Sequence, residues 1–304
     1  MPDLMFGKKR PLNKPALRLS SILTGIVPDH PPAVDHLAIG GWEMLGNDRW
    51  GDCVAVTWAN VRRLLTRLAG AESYPGLDQV LQVYKTQNPA FPNQDEGMYI
   101  QALLELLVGI GGPDGAKPLA FAKVNTASEA EVEAAISIFG YLWVGFGVQS
   151  RNMSEDFRNN QPFEYRSSDS WVGGHSVIVG GYDSDHAGYD ERMATWARES
   201  GFTENGWRNL VDEAWAVIWP EHLGTSQFQQ GVDKDKLAAA FEALTGRELP
   251  IPVDPLPTPV VDPADVEFAP SLKSYINSKP KWSRITKSGK LVAAGKRWLE
   301  QKGI

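Results

Sequence analysis

The spacing of apolar residues divides the chain into a helical first half and a strand-rich second half. From Cys53 to Ala69, apolar side chains recur at three- and four-residue intervals, which predicts an amphipathic helix that ends at Gly70. Two more helices are predicted at Leu77–Gln87 and Met98–Val108. Residues 1–40 are irregular and rich in proline, so we predict an extended arm along the body of the protein, with one short helix near Ala16–Leu23.

The second half contains short apolar runs that are typical of buried strands. Strands are predicted at Leu119–Val124, Tyr141–Val148, His175–Asp183, 192–197 and Leu210–Trp219. Helices are predicted at Ser128–Phe139, where Ser128 and Glu131 have the spacing of a capping box, and at Leu237–Leu244. Because helices come first and strands later, the pattern predicts a segregated α+β fold in residues 41–246.

Beyond that domain the composition changes twice. Residues 247–270 are rich in proline and predict a stiff, extended linker. Residues 271–304 form a basic tail with an amphipathic helix predicted at Lys290–Lys302. Two interpretations of the tail stay open: it docks on a partner protein or an anionic surface, or it remains a solvated segment.

Charge and composition restrict the class of protein. The net charge is -7, and residues 270–304 carry +8, so residues 1–269 carry -15. An acidic body of this kind is not typical of a nucleic-acid-binding domain. No stretch has the roughly 20 apolar residues of a membrane span, and the N-terminus lacks the apolar core of a signal peptide. We therefore predict a soluble protein, located in a cytoplasm or in a phage virion.

The only cysteine of the chain, Cys53, stands where the first predicted helix begins, directly after Gly51-Asp52. One cysteine excludes an intramolecular disulfide. A thiol is nucleophilic as its thiolate, and the unpaired amides and dipole of a helix N-terminus favour that anion and lower the thiol pKa. Two interpretations are open: a reactive cysteine at a helix start, or a buried cysteine that acts as a small apolar side chain.

A second candidate for chemistry is His175. It follows Gly173 and Gly174, which allow a backbone or a substrate to approach closely. It also begins a predicted strand, so a fold that packs helices against the sheet could bring its imidazole to the thiol as a general base. The alternative is a structural histidine held by hydrogen bonds.

Together these segments resemble the papain-like cysteine peptidases. Cys53 and His175 are 122 residues apart, close to the roughly 130–150 of papain-type enzymes. The chain is also similar to uncharacterised papain-like proteins of actinobacteria and their phages. The resemblance covers residues 40–225 and rests on an ordered set of motifs: NDRWGDC, GDCVAV, GGHSVIVGGYD, MATWA and ENGW.

The resemblance implies a fold with a helical half, an antiparallel sheet half and a cleft between them. It implies thiol-dependent hydrolysis of a peptide or amide substrate, with Cys53 as nucleophile and His175 as base, and no cofactor. Asn47 falls where the family has an amide that helps to bind the oxyanion, although the family residue is usually the longer Gln. The family's orienting Asn falls at Ala194, so the neighbouring Thr195 is our candidate for that role, with Asp183 and Glu199 as more distant alternatives.

Other functions remain open on the same residues. Without the orienting Asn, the chain could be a weak or inactive papain-like scaffold with a structural or binding role, for example in a phage virion. It could also be an amidase of bacterial cell-wall peptide. Residues 183–191 partly resemble a calcium loop but lack two of its ligands, so we interpret them as an acidic turn, and a zinc site at Cys53 and His175 lacks further ligands.

Overall fold

The architecture is described by a computed structural model, which places residues 4–12, 14–25, 30–185 and 189–250. Most of the predicted linker and the whole predicted tail, including the helix at Lys290–Lys302, lie outside the described residues. The described part has an α+β fold, in which helices cover both faces of one central sheet.

The helical half consists of three helices close to those predicted: α1 at Cys53–Leu68, α2 at Leu77–Lys85 and α3 at Ile100–Ile110. The first thirteen residues of α1 are all buried, because this helix lies between α2 and the sheet. Full burial explains why its apolar stripe is wide. The large side chains that fill this half include Trp58, Tyr84 and Leu104.

Within the described residues, the sheet half has eight strands, numbered in chain order, which lie in the order β1-β3-β8-β4-β5-β6-β7 with β2 paired to β5. All pairs are antiparallel except β1 with β3. The strands are β1 at Leu17–Arg18, β2 at Ala33–Asp35, β3 at Ala120–Lys123, β4 at Leu142–Gln149, β5 at Trp171–Asp183, β6 at Glu191–Thr195, β7 at Arg198–Phe202 and β8 at Val211–Ile218.

Central strands bury both of their faces, which explains their continuous apolar runs. In β4, Trp143 packs with the helical half, whereas Leu142 and Val144 face a second core on the other side of the sheet. That second core is covered by four helices: α4 at Glu129–Phe139, α5 at Glu204–Leu210, α6 at Ser226–Gly231 and α7 at Lys234–Thr245.

The structure differs from the sequence prediction in identifiable places. The helix expected near Ala16–Leu23 is instead β1 followed by a short 3-10 turn, because Leu17 and Arg18 pair with β3. Strand β5 begins at Trp171, four residues before the predicted start. The capping box is half present: Ser128 Oγ accepts from the Glu131 amide, but the Glu131 carboxylate accepts from the amide of Asn125.

A buried cation, Arg62, ties α1 to the loop after α3 and to the residues that follow Ile218. Arg62 donates to Asp114 at 2.7 Å and to Glu221 at 3.0 Å, and its guanidinium lies 4.5 Å from the Trp219 ring. Only 7% of the Arg62 side chain is exposed. The same helix carries Arg67, which pairs with Glu72 but is 54% exposed.

We expect Arg62→Ala to lower the free energy of unfolding by about 3 kcal/mol, because it leaves two part-buried carboxylates without their cation. Arg67→Ala is the matched control on the same helix, and its expected cost is below about 1 kcal/mol. Urea unfolding of both variants checks the difference. Equal midpoints would contradict a stabilising role for the Arg62 cluster.

Candidate active site

Cys53 is the first residue of α1, and the turn before it is fixed by a residue that the sequence did not indicate. The Gly51 amide donates to both carboxylate oxygens of Asp95, at 3.0 and 3.1 Å. Tyr84 donates its hydroxyl to the same carboxylate and accepts from the Gly97 amide at 3.0 Å. The loop after α2 therefore holds the turn that precedes Cys53 in place. In the sequence, Asp95 was only part of a polar loop.

The imidazole of His175 lies in β5 and has a hydroxyl behind it. Its Nε2 is 2.8 Å from the Thr195 Oγ1 at the end of β6. The ring stacks on Trp196 with 3.8 Å between ring centres and meets the edge of Phe146. Among the described residues, Nδ1 has no hydrogen-bond partner. If Thr195 accepts the Nε2 proton, Nδ1 carries the lone pair that can take a proton.

The turn after β6, which places Trp196 against the imidazole, has a strained backbone. Trp196 and Ala197 both have positive φ, at 40° and 61°. Such values are rare for bulky residues and persist only when the surrounding structure holds them. Glu199, one of the alternative orienting residues, pairs instead with Arg192 at 2.9 Å. Of the candidate orienting groups, the structure places Thr195 at the ring.

A buried polar contact joins α1 to β5 one residue beyond the histidine. Thr57 Oγ1 lies 3.0 Å from Ser176 Oγ, and Trp143 Nε1 donates to that oxygen, also at 3.0 Å. Thr57 also donates to the carbonyl of Cys53 at 2.8 Å. The backbone amide of Ser176 is close enough to the thiol to oppose the rise of its pKa. The structure thus brings Cys53 to the strand segment that carries His175.

Residues 4–10, which we call the arm strand, cross the seam between the helices and the sheet, next to Cys53 and Gly174. The Lys8 amide donates to the Gly174 carbonyl at 3.0 Å on the sheet side. On the helical side, the Met98 amide donates to the Gly7 carbonyl at 2.7 Å, and the Lys9 amide donates to the Met98 carbonyl at 2.8 Å. A Cβ atom on Gly7 would collide with the Gly51 carbonyl, so the fit requires glycine.

Burial gives the Cys53 thiol a raised pKa, opposite to the lowered pKa expected at a helix N-terminus. Burial raises the pKa of the Cys53 thiol to about 12, against the opposing effect of the Gly7 and Ser176 amides. Burial also lowers the pKa of His175 to about 3. The sequence-based expectation of a lowered thiol pKa is therefore wrong for this conformation, because excluded water outweighs the helix terminus. In this conformation Cys53 is a neutral thiol and His175 is a neutral imidazole.

Two polar side chains in the segment before the cysteine, Asn47 and Asp52, are also buried. Asn47 donates its Nδ2 to the Trp50 carbonyl at 3.1 Å and to the Met5 carbonyl of the arm strand at 3.4 Å. Its amide, our candidate oxyanion donor, is thus occupied by main-chain acceptors. Burial raises the pKa of Asp52 to about 8. When Asp52 is ionised, its charge raises the pKa of the Cys53 thiol further.

The arm strand also places a charged side chain, that of Lys8, against two acids of β8. The Lys8 side chain is 1% exposed, and its Nζ forms ion pairs with Asp212 and, at 3.3 Å, with Glu213 Oε1. Trp215 Nε1 donates to the other Glu213 oxygen at 2.8 Å. Sequence analysis missed this cluster. The available signal was that Glu213, a charged residue, stands at an apolar position of an alternating strand, two residues from Val211 and two from Trp215.

The described residues contain no group of three or more His, Cys, Asp or Glu side chains arranged to hold a metal ion. Residues 186–188 of the acidic turn at 183–191 lie outside the described residues. Within the described part of the chain, no helix has both the length and the apolar character needed to cross a membrane.

Comparison with known proteins identifies the fold. No protein-family model matches the chain, and no curated protein matches it. Among solved structures, xylellain, a cysteine protease from Xylella fastidiosa, aligns over 71% of this chain and 97% of its own, with TM-score 0.55 and 16% identity.

Two further solved structures align with lower TM-scores. ProCathepsin B S9 from Trypanosoma congolense covers 71% of this chain and 86% of its own, with TM-score 0.46 and 10% identity. Digestive procathepsin L2 from the larval midgut of Tenebrio molitor covers 64% and 70%, with TM-score 0.38 and 13% identity. The chain has a papain-like α+β fold, the fold of cysteine proteases.

Proposed function

We propose that this protein is a thiol-dependent hydrolase of peptide or other amide bonds, with Cys53 as the nucleophile and His175 as the general base. The observation that carries the proposal is the meeting of the α1 N-terminus with the β5 segment at Ser176, under a groove that already holds an extended peptide. The likeness of the fold to a cysteine protease supports the same reaction class.

The reaction follows from the groups present. His175 Nδ1 takes the thiol proton, and the sulfur attacks the substrate carbonyl carbon to give a tetrahedral oxyanion. The Cys53 amide at the helix start donates to that oxyanion, and the Asn47 amide is the second candidate donor. The protonated imidazole then gives its proton to the leaving amine, which leaves an acyl-enzyme. Water hydrolyses the thioester, with His175 as the base.

Thr195 is proposed to orient the imidazole. A hydroxyl that accepts the Nε2 proton leaves Nδ1 free to act as the base. A hydroxyl is neutral and holds the ring through a single bond, and stacking on Trp196 restrains the plane of the ring in addition. The combination can replace the amide that papain-like peptidases use at this place.

The described conformation is closed, so the arm strand must move before a substrate can reach the sulfur. Gly7 lies against Gly51 and the thiol, and Met5 occupies the Asn47 amide. Displacement of the arm strand admits water, which removes the main cause of the raised thiol pKa. The helix N-terminus and the imidazole can then stabilise the thiolate.

A second candidate function is a papain-like scaffold that binds but does not catalyse. The closed groove and the neutral state of both site residues favour it. In that case Cys53 acts as a buried apolar side chain and the arm strand is a permanent part of the fold. The two functions predict different reactivity of the Cys53 thiol once the arm strand is displaced.

We expect Gly7→Val to increase the rate of Cys53 alkylation by iodoacetamide at least tenfold, because a side chain at Gly7 collides with Gly51 and expels the arm strand. The matched control is Gly25→Val, since a side chain at Gly25 meets nothing within 4 Å. Mass spectrometry measures the rates. The second function is favoured instead if the thiol exposed by Gly7→Val reacts no faster than in denatured chain, or equally fast with His175→Ala added.

We expect Thr195→Val to lower kcat/KM for peptide amides by about 10- to 100-fold, because the imidazole loses its hydrogen-bond partner. Thr195→Ser keeps the hydroxyl and should retain most of the activity. Both variants are measured in the Gly7→Val background with the same substrates. A Thr195→Val variant as active as Thr195→Ser would show that this hydroxyl does not orient the base.

A further inference from the structure

The arm strand points to the substrate class. We propose that the acidic pocket formed by Asp212 and Glu213 binds a lysine or arginine side chain of the substrate, and that Lys8 fills it in the closed conformation. This inference rests on the proposed hydrolase function and extends it to the side chain that the groove selects. It starts from the observation that the only described peptide in the groove places a cation there.

The pocket is built for a cation and not for an apolar group. The Glu213 side chain is 1% exposed, and one of its oxygens is already held by the Trp215 indole. The other oxygen lies 3.3 Å from the Lys8 ammonium, and Asp212 adds a second carboxylate at the solvent edge. A buried carboxylate without a cation carries a large desolvation penalty. An apolar or acidic occupant would leave that penalty in place.

The shape of the pocket agrees with a long side chain. A Cβ atom at Gly145 would lie 2.9 Å from the Glu213 Cγ and would also collide with the Lys8 Cε. Glycine at this place in β4 therefore leaves room for the methylene groups of lysine. Gly174 has the same effect for the backbone, because a side chain there would collide with the Lys8 carbonyl. Two glycines open the pocket and the groove above it.

The contacts that hold the backbone of Lys8 do not depend on its sequence. They are main-chain hydrogen bonds to Gly174 on one side and to Met98 on the other. Any extended peptide can form bonds of this kind, and the side-chain pockets then supply specificity. Because Gly7 next to Lys8 lies against the thiol, the acidic pocket selects a residue close to the bond that is cleaved.

The groove extends beyond the arm strand on the sheet side. A cavity of about 570 Å³ borders Lys8 and Asp212 and is lined by Trp171, Val172 and Gly174. Trp171 is 55% exposed and Val172 is 45% exposed. This open space beside the acidic pocket leaves room for the longer guanidinium of arginine. We therefore include both basic side chains in the predicted substrate class.

The test uses the full chain with Gly7→Val, so that the arm strand leaves the groove. Fluorogenic dipeptide amides carry lysine, arginine, norleucine or glutamate at each of the two positions before the cleaved bond. Norleucine matches the methylene chain of lysine without its charge. At one of the two positions, we expect kcat/KM for the lysine and arginine substrates to exceed that for norleucine at least tenfold, and glutamate to be the poorest.

The double variant Asp212→Asn with Glu213→Gln tests whether these two carboxylates are responsible for the preference. We expect this change to reduce the lysine-to-norleucine ratio to below threefold. Asp78→Asn, an exposed acid on α2, is the matched control and should leave the ratio unchanged. A wild-type preference for norleucine, or a basic preference that survives the double substitution, would overturn the proposal.

A binding measurement separates this proposal from the hydrolase function. Adding Cys53→Ala to the Gly7→Val chain removes the nucleophile, and fluorescence polarisation then compares labelled lysine and norleucine peptides. Suppose that no substrate is hydrolysed but the lysine peptide binds at least tenfold more tightly than the norleucine peptide. The hydrolase function is then wrong, and the proposed specificity of the pocket is supported. Equal affinities would mean that Lys8 only fastens the arm strand, and the pocket proposal fails.

Discussion

The structure depends on the buried contact between Thr57 of α1 and Ser176 of β5. Two hydroxyls and the Trp143 indole satisfy one another inside an otherwise apolar seam. Buried polar groups are costly when unpaired, so a shift of α1 along β5 would leave these groups without partners. This single register sets the start of α1 against the strand segment that carries His175, and it places the cysteine at the seam between the two halves.

The arm strand contributes to the burial that sets the chemical state of that site. It closes the groove with main-chain hydrogen bonds and a glycine that no larger residue can replace, and both the sulfur and the imidazole are buried. Under these conditions desolvation dominates over the favourable position at a helix start, and both groups are neutral. Under the proposed function, displacement of residues 4–10 is what would convert Cys53 and His175 from buried neutral groups into reactive ones.

Part of the site could be predicted from local patterns. The helical period with a cysteine at its start indicated Cys53, and the glycine pair before an apolar strand indicated His175. Thr195 was a candidate because it adjoins the position of the family's orienting residue, and it lies 2.8 Å from the imidazole. In contrast, Asp95 and Lys8 have no local signature, since each acts through residues that are distant in sequence.

The sequence by itself determined the order of helices and strands, the α+β class and the two residues proposed for the chemistry, because periodicity and turn residues act over short distances. Only the tertiary structure decided where the arm strand runs, which carboxylates surround Lys8 and how far burial shifts the thiol pKa. These properties depend on solvent exclusion and on hydrogen bonds between segments far apart in the chain. Local sequence patterns carry little information about either.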